Sequence, residues 1–237
     1  MSETAPAAPG AKTPSRLRAV GPYLRRYLAR NPVAVVVAVI VVAAAAATGS
    51  LWNDGGALIW GAGPLATFAS GRWWTVVTAL VVPDSAVDAA ASVLLALTVL
   101  AYAERLLGSR RTALLLAVTG LAGLLVGIGL HAAAWTVTDL RPVVAAEVPV
   151  LDPTTPIAGA VMAASAFATT LWRRRLRLVG FALLALFALY AGDADSWSRL
   201  TAAAIGLAVG AVLARGRERR SWHRSSTRES RTLLALL

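Results

Sequence analysis

Residues 71–111 read GRWWTVVTALVVPDSAVDAAASVLLALTVLAYAERLLGSRR, and the reading of this stretch decides the fold. It opens on Gly71, Arg72 and the paired Trp73 and Trp74, runs through one long apolar segment, and closes on Glu104-Arg105-Leu106-Leu107-Gly108-Ser109 before Arg110 and Arg111. The apolar part, roughly Val87 to Leu106, is close to the ~20 residues that cross a hydrocarbon layer of ~30 Å. Aromatic rings at one end and arginines at the other mark the two interfaces of a membrane-crossing helix.

Working outward, 57% of the 237 residues are hydrophobic and 15% are charged, a balance that a soluble protein with a large core could also have. The distribution of the apolar residues separates the two cases. Val33 to Leu51 carries no charge, and similar runs recur at Thr112 to His131, Thr154 to Trp172, Leu176 to Tyr190 and Leu200 to Ala214. With the segment beginning at Val87 these make six candidate spans, and the expected fold class is an all-α, polytopic, six-span membrane bundle. The first run lies behind a Pro/Ala-rich and then Arg-rich leader with no small-residue cleavage site, so it reads as a retained span. Cysteine is absent, which excludes disulfides, thiolate catalysis and Cys-ligated zinc together.

Lys and Arg are distributed unevenly between the connections. Lys12, Arg16, Arg18, Arg25, Arg26 and Arg30 precede the first span; Arg105, Arg110 and Arg111 lie between the second and third; Arg173, Arg174, Arg175 and Arg177 lie between the fourth and fifth; seven arginines from Arg215 to Arg231 follow the sixth. Only Arg72, Arg141 and Arg199 fall on the other side. By the positive-inside rule both termini are expected in the cytoplasm, with the chain multi-pass in the plasma membrane. The net charge of +11 is thereby explained by orientation, and no nucleic acid is expected to bind this segment. Basic clusters beside a span also attract anionic lipid, at about 1 kcal/mol per Lys or Arg. Arg173, Arg174, Arg175 and Arg177 are the candidate contacts.

Residues 1–15 are Pro, Ala and Thr rich with no apolar period and are expected to be disordered. Residues 16–31 form a basic juxtamembrane segment suited to the inner leaflet, 32–215 the six-helix membrane domain, and 216–237 a basic tail. The final Leu233-Leu234-Ala235-Leu236-Leu237 reads as the start of a further span, so a downstream domain of the same protein is an expected partner. The 35 residues from Trp52 to Ala86 are long for a connection between packed helices. They hold Trp52, Trp60, Trp73 and Trp74, and are expected to lie in the outer interface.

Three blocks carry a resemblance to a known family. The first is the opening stretch, with Gly71, Trp73, Trp74, Thr78, Glu104, Leu107, Gly108 and Ser109. The second is Ala203-Ala204-Ile205-Gly206-Leu207-Ala208-Val209-Gly210, and the third Asp152-Pro153-Thr154-Thr155-Pro156-Ile157-Ala158-Gly159. Together they resemble the rhomboid intramembrane proteases over about Gly71 to Ala214. The resemblance implies a bundle in which Gly206 and Gly210 pack the sixth span against the fourth, and a serine nucleophile at the outer start of span four. Thr154 stands there if Gly159 keeps register, and Thr155 if the register shifts by one. Ala203 stands at the position of the catalytic His, and Pro83, Asp88 and Ser92 stand where oxyanion donors are expected.

A serine-type protease needs a hydroxyl, a base within reach and donors for the oxyanion. The chain has two histidines, His131 and His223, neither at the Ala203 position. Pro83 has no donor, Asp88 is acidic and Ser92 only partly substitutes for an amide. The protease dyad is thus absent; no catalytic residue, metal or cofactor is expected, and the resemblance leaves Trp73, Trp74, Glu104, Leu107, Gly108, Ser109, Gly159, Gly206 and Gly210 as structural residues that shape and pack the bundle. Glu104 is expected near Arg105 or Arg110, and Asp84 and Asp88 either at a polar cavity or at a solvated loop end. Within the superfamily the Ala/Val/Arg-rich composition is similar to the degenerate membrane region of actinobacterial lysyl-phosphatidylglycerol synthase-like proteins. The expected function is a non-proteolytic module that binds or scaffolds a lipid or a transmembrane client. The alternatives are the membrane part of an aminoacyl-phosphatidylglycerol synthase or lipid flippase, and a divergent protease.

Overall fold

A computed structural model describes residues 25–53, 57–63, 67, 69–137 and 149–234, with side chains for all of these except 134–137 and 217–234. The expected disorder of residues 1–15, Arg141, and the imidazole of His223 lie outside what is described.

The apolar runs become helices. α1 is Pro32–Thr48, with Pro at its first turn, where a missing N–H costs nothing; it ends at Gly49 in the left-handed conformation, φ 78°. α2 is Ala86–Leu107. Ser85 begins it, its hydroxyl accepting from the Asp88 N–H at 3.2 Å. A π-helical segment, Ala96–Leu100, interrupts it midway, and the Tyr27 hydroxyl donates to the carbonyl of Leu97 there. Gly108, at φ 83°, turns the chain directly into α3, Ser109–Val137. α4 is Thr154–Ala164, continued by a 3₁₀ turn Ser165–Phe167. α5 is Thr170–Ala191 and α6 Ala194–Leu234.

Three of these are long and apolar enough to cross a membrane: α2, Ser109–Ala133 of α3, and Ala194–Gly216 of α6. The chain is therefore a membrane protein by helix length and composition. α1 and Thr154–Phe167 are apolar but shorter. On α1 the small stripe Ala34, Ala38, Val41 and Ala45 is buried while Val36, Val39 and Val42 stay exposed. A helix that is apolar all round but packed on only one side is suited to lipid.

Two boundaries differ from the sequence reading. The expected span Thr154 to Trp172 stops at Ala168, whose backbone is extended with ψ 160°, and only Ala168 and Thr169 separate α4 from α5. Trp172, expected at the end of that span, and the arginines from Arg173 to Arg177, expected in a connection, form the first turns of α5. Arg and Leu are strong helix formers, and positive charge reports the side of the membrane, not the backbone conformation. The long Trp52 to Ala86 connection also has local structure, a 3₁₀ turn Leu58–Trp60 and a helical turn Thr75–Thr78.

The centre of the bundle is α6, held between α3 and α4. Glycines permit this. A Cβ on Gly206 would overlap the Gly159 carbonyl, one on Gly210 the Ala163 carbonyl, and one on Gly123 or Gly127 the backbone of Ala202 or Ser198. α4 and α6 thus run parallel in constant register, Gly159 beside Gly206 and Ala163 beside Gly210, while α3 runs antiparallel to α6. Small residues at four-residue spacing allow this close approach where no hydrophobic drive separates helix from lipid.

Among the described residues, Glu104 is the fully buried acid of the Arg-rich end, 2% exposed. Its two carboxylate oxygens accept the Val33 and Ala34 N–H groups at 3.0 Å each. This corrects the expectation of an arginine partner. The carboxylate sits on the first turn of α1, where orphan N–H groups and the positive end of the helix dipole favour an anion. Arg105 is engaged otherwise: its Nε donates to Asn31 Oδ1 at 3.0 Å and its guanidinium lies over the Tyr27 ring. Glu104→Ala is expected to lower bundle stability by about 1–3 kcal/mol, the range for orphaning buried donors. Glu104→Gln should lose less, since its amide oxygen still reaches one N–H; unfolding in mixed micelles followed by circular dichroism would measure both.

Candidate functional site: a polar cluster at the start of α4

The end of the bundle opposite the Arg-rich connections holds a cluster of interacting polar side chains. Asp152, fully buried, immediately precedes α4. Its Oδ1 accepts the Thr154 N–H at 2.9 Å and the Thr154 hydroxyl at 2.6 Å, and its Oδ2 accepts the Thr155 hydroxyl at 2.5 Å. Arg199, from the first turns of α6, donates its Nε to the same Oδ2 at 2.6 Å. A carboxylate offers about four lone-pair sites, and all four are taken. The Asp152 N–H donates in turn to the Ala79 carbonyl at 2.8 Å, tying the cluster to the chain after the Thr75–Thr78 turn.

Asp88 reaches the same cluster from the first turn of α2, within electrostatic range of Asp152 and Arg199. Asp195 faces Asp152, Arg199 and Asp88 from α6. Asp88 Oδ2, Asp195 Oδ1 and Ser92 Oγ are buried and make no hydrogen bond among the described residues. Asp88 is therefore at a polar interior and not at a solvated loop end; Asp84 is exposed. No three of the described His, Asp and Glu side chains converge closely enough to chelate a metal ion.

Thr154, Thr155 and Asp88 are thus brought together. Ser92 lies fully buried one turn deeper on α2, Pro83 is buried in the loop before it, and Ala203 is fully buried on α6. His131 does not join Thr154. Its Nε2 lies 3.2 Å from the carbonyl of Gly192, the left-handed residue that ends α5, so it braces the α5–α6 turn.

The sequence reading singled out the two threonines but not the acid that holds them, and took Arg199 only as one outer charge. An Asp two residues before a helix that starts Thr-Thr is a capping signal visible in the sequence; its pairing with Arg199 is not.

Trp73 and Trp74 are exposed. Trp74 stacks edge-on against Trp60 with centroids 5.3 Å apart, Arg72 lies over the Trp74 ring, and the Thr78 hydroxyl donates to the Trp60 carbonyl at 2.6 Å. Leu107 is buried beside Gly108, and Ser109 is half-buried at the start of α3. The four-arginine cluster divides. Arg177 Nε donates to Ser165 Oγ at 3.1 Å and Arg173 to the Ala168 carbonyl at 3.4 Å, while Arg174 and Arg175 point outward, exposed.

Two apolar grooves open on the sides of the bundle. One, of about 470 Å³, lies between α1 and α3 above Leu80 and Pro156. The other, of about 560 Å³, lies between α3 and α6 at the Arg-rich end. No family model matches the chain, and neither a curated protein nor a solved structure does.

Proposed function

We propose that this chain is a non-proteolytic, rhomboid-like module of the cell membrane with six spans and cytoplasmic termini, which binds or scaffolds a lipid or a transmembrane client. The observation that carries this reading is the state of the two hydroxyls at the nucleophile position. Thr154 and Thr155 both donate to Asp152, and Asp152 is paired with Arg199; a carboxylate held in an ion pair is a very weak base for an alkyl hydroxyl. A nucleophile needs a base that can accept its proton, and the imidazole of His131 is directed to the Gly192 carbonyl at the α5–α6 turn and not to either threonine hydroxyl. The glycine contacts of α6 with α3 and α4 supply a rigid bundle, and the groove between α1 and α3 supplies a lateral opening of apolar character. Exposed Arg174 and Arg175 suit an anionic lipid surface.

Purified protein in liposomes is expected to leave a transmembrane reporter intact and to form no adduct with a fluorophosphonate probe. Cleavage that disappears in Thr154→Ala or Thr155→Ala would overturn the reading. Co-purified lipid or a cross-linked transmembrane segment is the expected positive result.

A further inference from the structure

The groove between α3 and α6 has a polarity that the α1–α3 groove lacks. Its walls are Leu114, Leu115 and Val118 from α3 and Val209, Val212 and Leu213 from α6, and one end is closed by Arg111 and Gly216. α3 and α6 run antiparallel, so Arg111 at the beginning of one and Gly216 toward the far end of the other mark the same level. Arg111 is exposed and makes no hydrogen bond or ion pair among the described residues. Arg110 precedes it and Arg215, also exposed, precedes Gly216. The site is an apolar channel along the bundle with uncompensated guanidinium charge at its basic end.

We infer that this groove holds one anionic phospholipid, its acyl chain between α3 and α6 and its phosphate on Arg111. The Leu and Val side chains along the groove suit an acyl chain. The groove has about 560 Å³, within the range of small-molecule sites. Charge decides the headgroup. Guanidinium binds phosphate in a planar fork, and basic pockets between transmembrane helices on the cytoplasmic side hold anionic headgroups. The inference deepens the proposed function by naming a lipid class and a place, and it rests on the chain being membrane-embedded.

The absence of cysteine allows a single fluorophore to be placed at will. Leu213→Cys puts it in the groove and Leu186→Cys on the exposed face of α5. Full-length protein is reconstituted in phosphatidylcholine vesicles carrying brominated phosphatidylglycerol or brominated phosphatidylcholine, and quenching is compared. At position 213 the charged lipid should be favoured by about fivefold, the equivalent of one surface arginine, with no preference at 186. Arg111→Gln should erase that preference, and Arg111→Lys, which keeps the charge and loses the fork, should retain part of it. Leu115→Trp, which fills the groove without altering charge, should also erase it. Equal quenching by both lipids at 213, or a preference that survives Arg111→Gln, overturns the assignment while leaving the membrane reading intact. No quenching at either position overturns both.

Discussion

Asp152→Ala is expected to destabilise the bundle by about 3 kcal/mol or more. Removing one member of a buried ion pair costs about 3–5 kcal/mol because the other charge is left without compensation. Asp152 is fully buried and Arg199 is 24% exposed, so water recovers part of the loss at Arg199 and the lower end of that range applies. The same substitution also frees the Thr154 N–H and two hydroxyls. Asp152→Asn separates these contributions, since it can keep a bond to the threonines and loses the charge. The paired change Asp152→Leu with Arg199→Met should be less harmful than Asp152→Ala alone, as neither charge is then stranded. Unfolding in mixed micelles measures all three. Similar stability of Asp152→Ala and the unaltered chain would show that the cluster does not hold α4 to α6.

Gly206→Ala is expected to cost about 2–3 kcal/mol, within the range for overpacking a well-filled interior. The added methyl would meet the Gly159 carbonyl, which is backbone and cannot swing aside as a flexible side chain can. Gly129→Ala supplies the opposite sign. Gly129 lies on α3 with nothing near its missing Cβ, so alanine there should stabilise by about 0.5–1 kcal/mol through helix propensity alone. Gly210→Ala should resemble Gly206→Ala, because the Ala163 carbonyl plays the same part. If all three substitutions moved stability equally, the close parallel approach of α4 and α6 would be wrong.

The helices were legible where an apolar run is bounded by turn or basic residues, from Pro32 at the start of α1 to Gly108 between α2 and α3. The role of Gly206 and Gly210 was legible for a similar reason, since four-residue spacing of small residues fixes one helix face. The partners of Glu104 were not. Sequence places that acid among arginines, whereas folding brings it to two backbone N–H groups of a helix start more than seventy residues earlier, and an unsatisfied N–H leaves no mark on residue type. The Asp152–Arg199 pair is hidden likewise. Its members are 47 residues apart, and only the parallel register of α4 and α6, itself set by glycines, brings them level. Where the arginines of α5 sit was misread because charge counting is blind to backbone.

The parallel register of α4 and α6 also fixes an order of events. Asp152, Gly159 and Ala163 are synthesised before the residues that complete them, and α5 must be made and turned at Gly192 before Arg199, Gly206 and Gly210 exist. Until then α4, too short to be a span by itself, carries a buried acid with no cation and a backbone carbonyl with no neighbour. α6 is thus the keystone of the described bundle: a ribosome that stops before it leaves the small-residue faces of α3 and α4 uncovered.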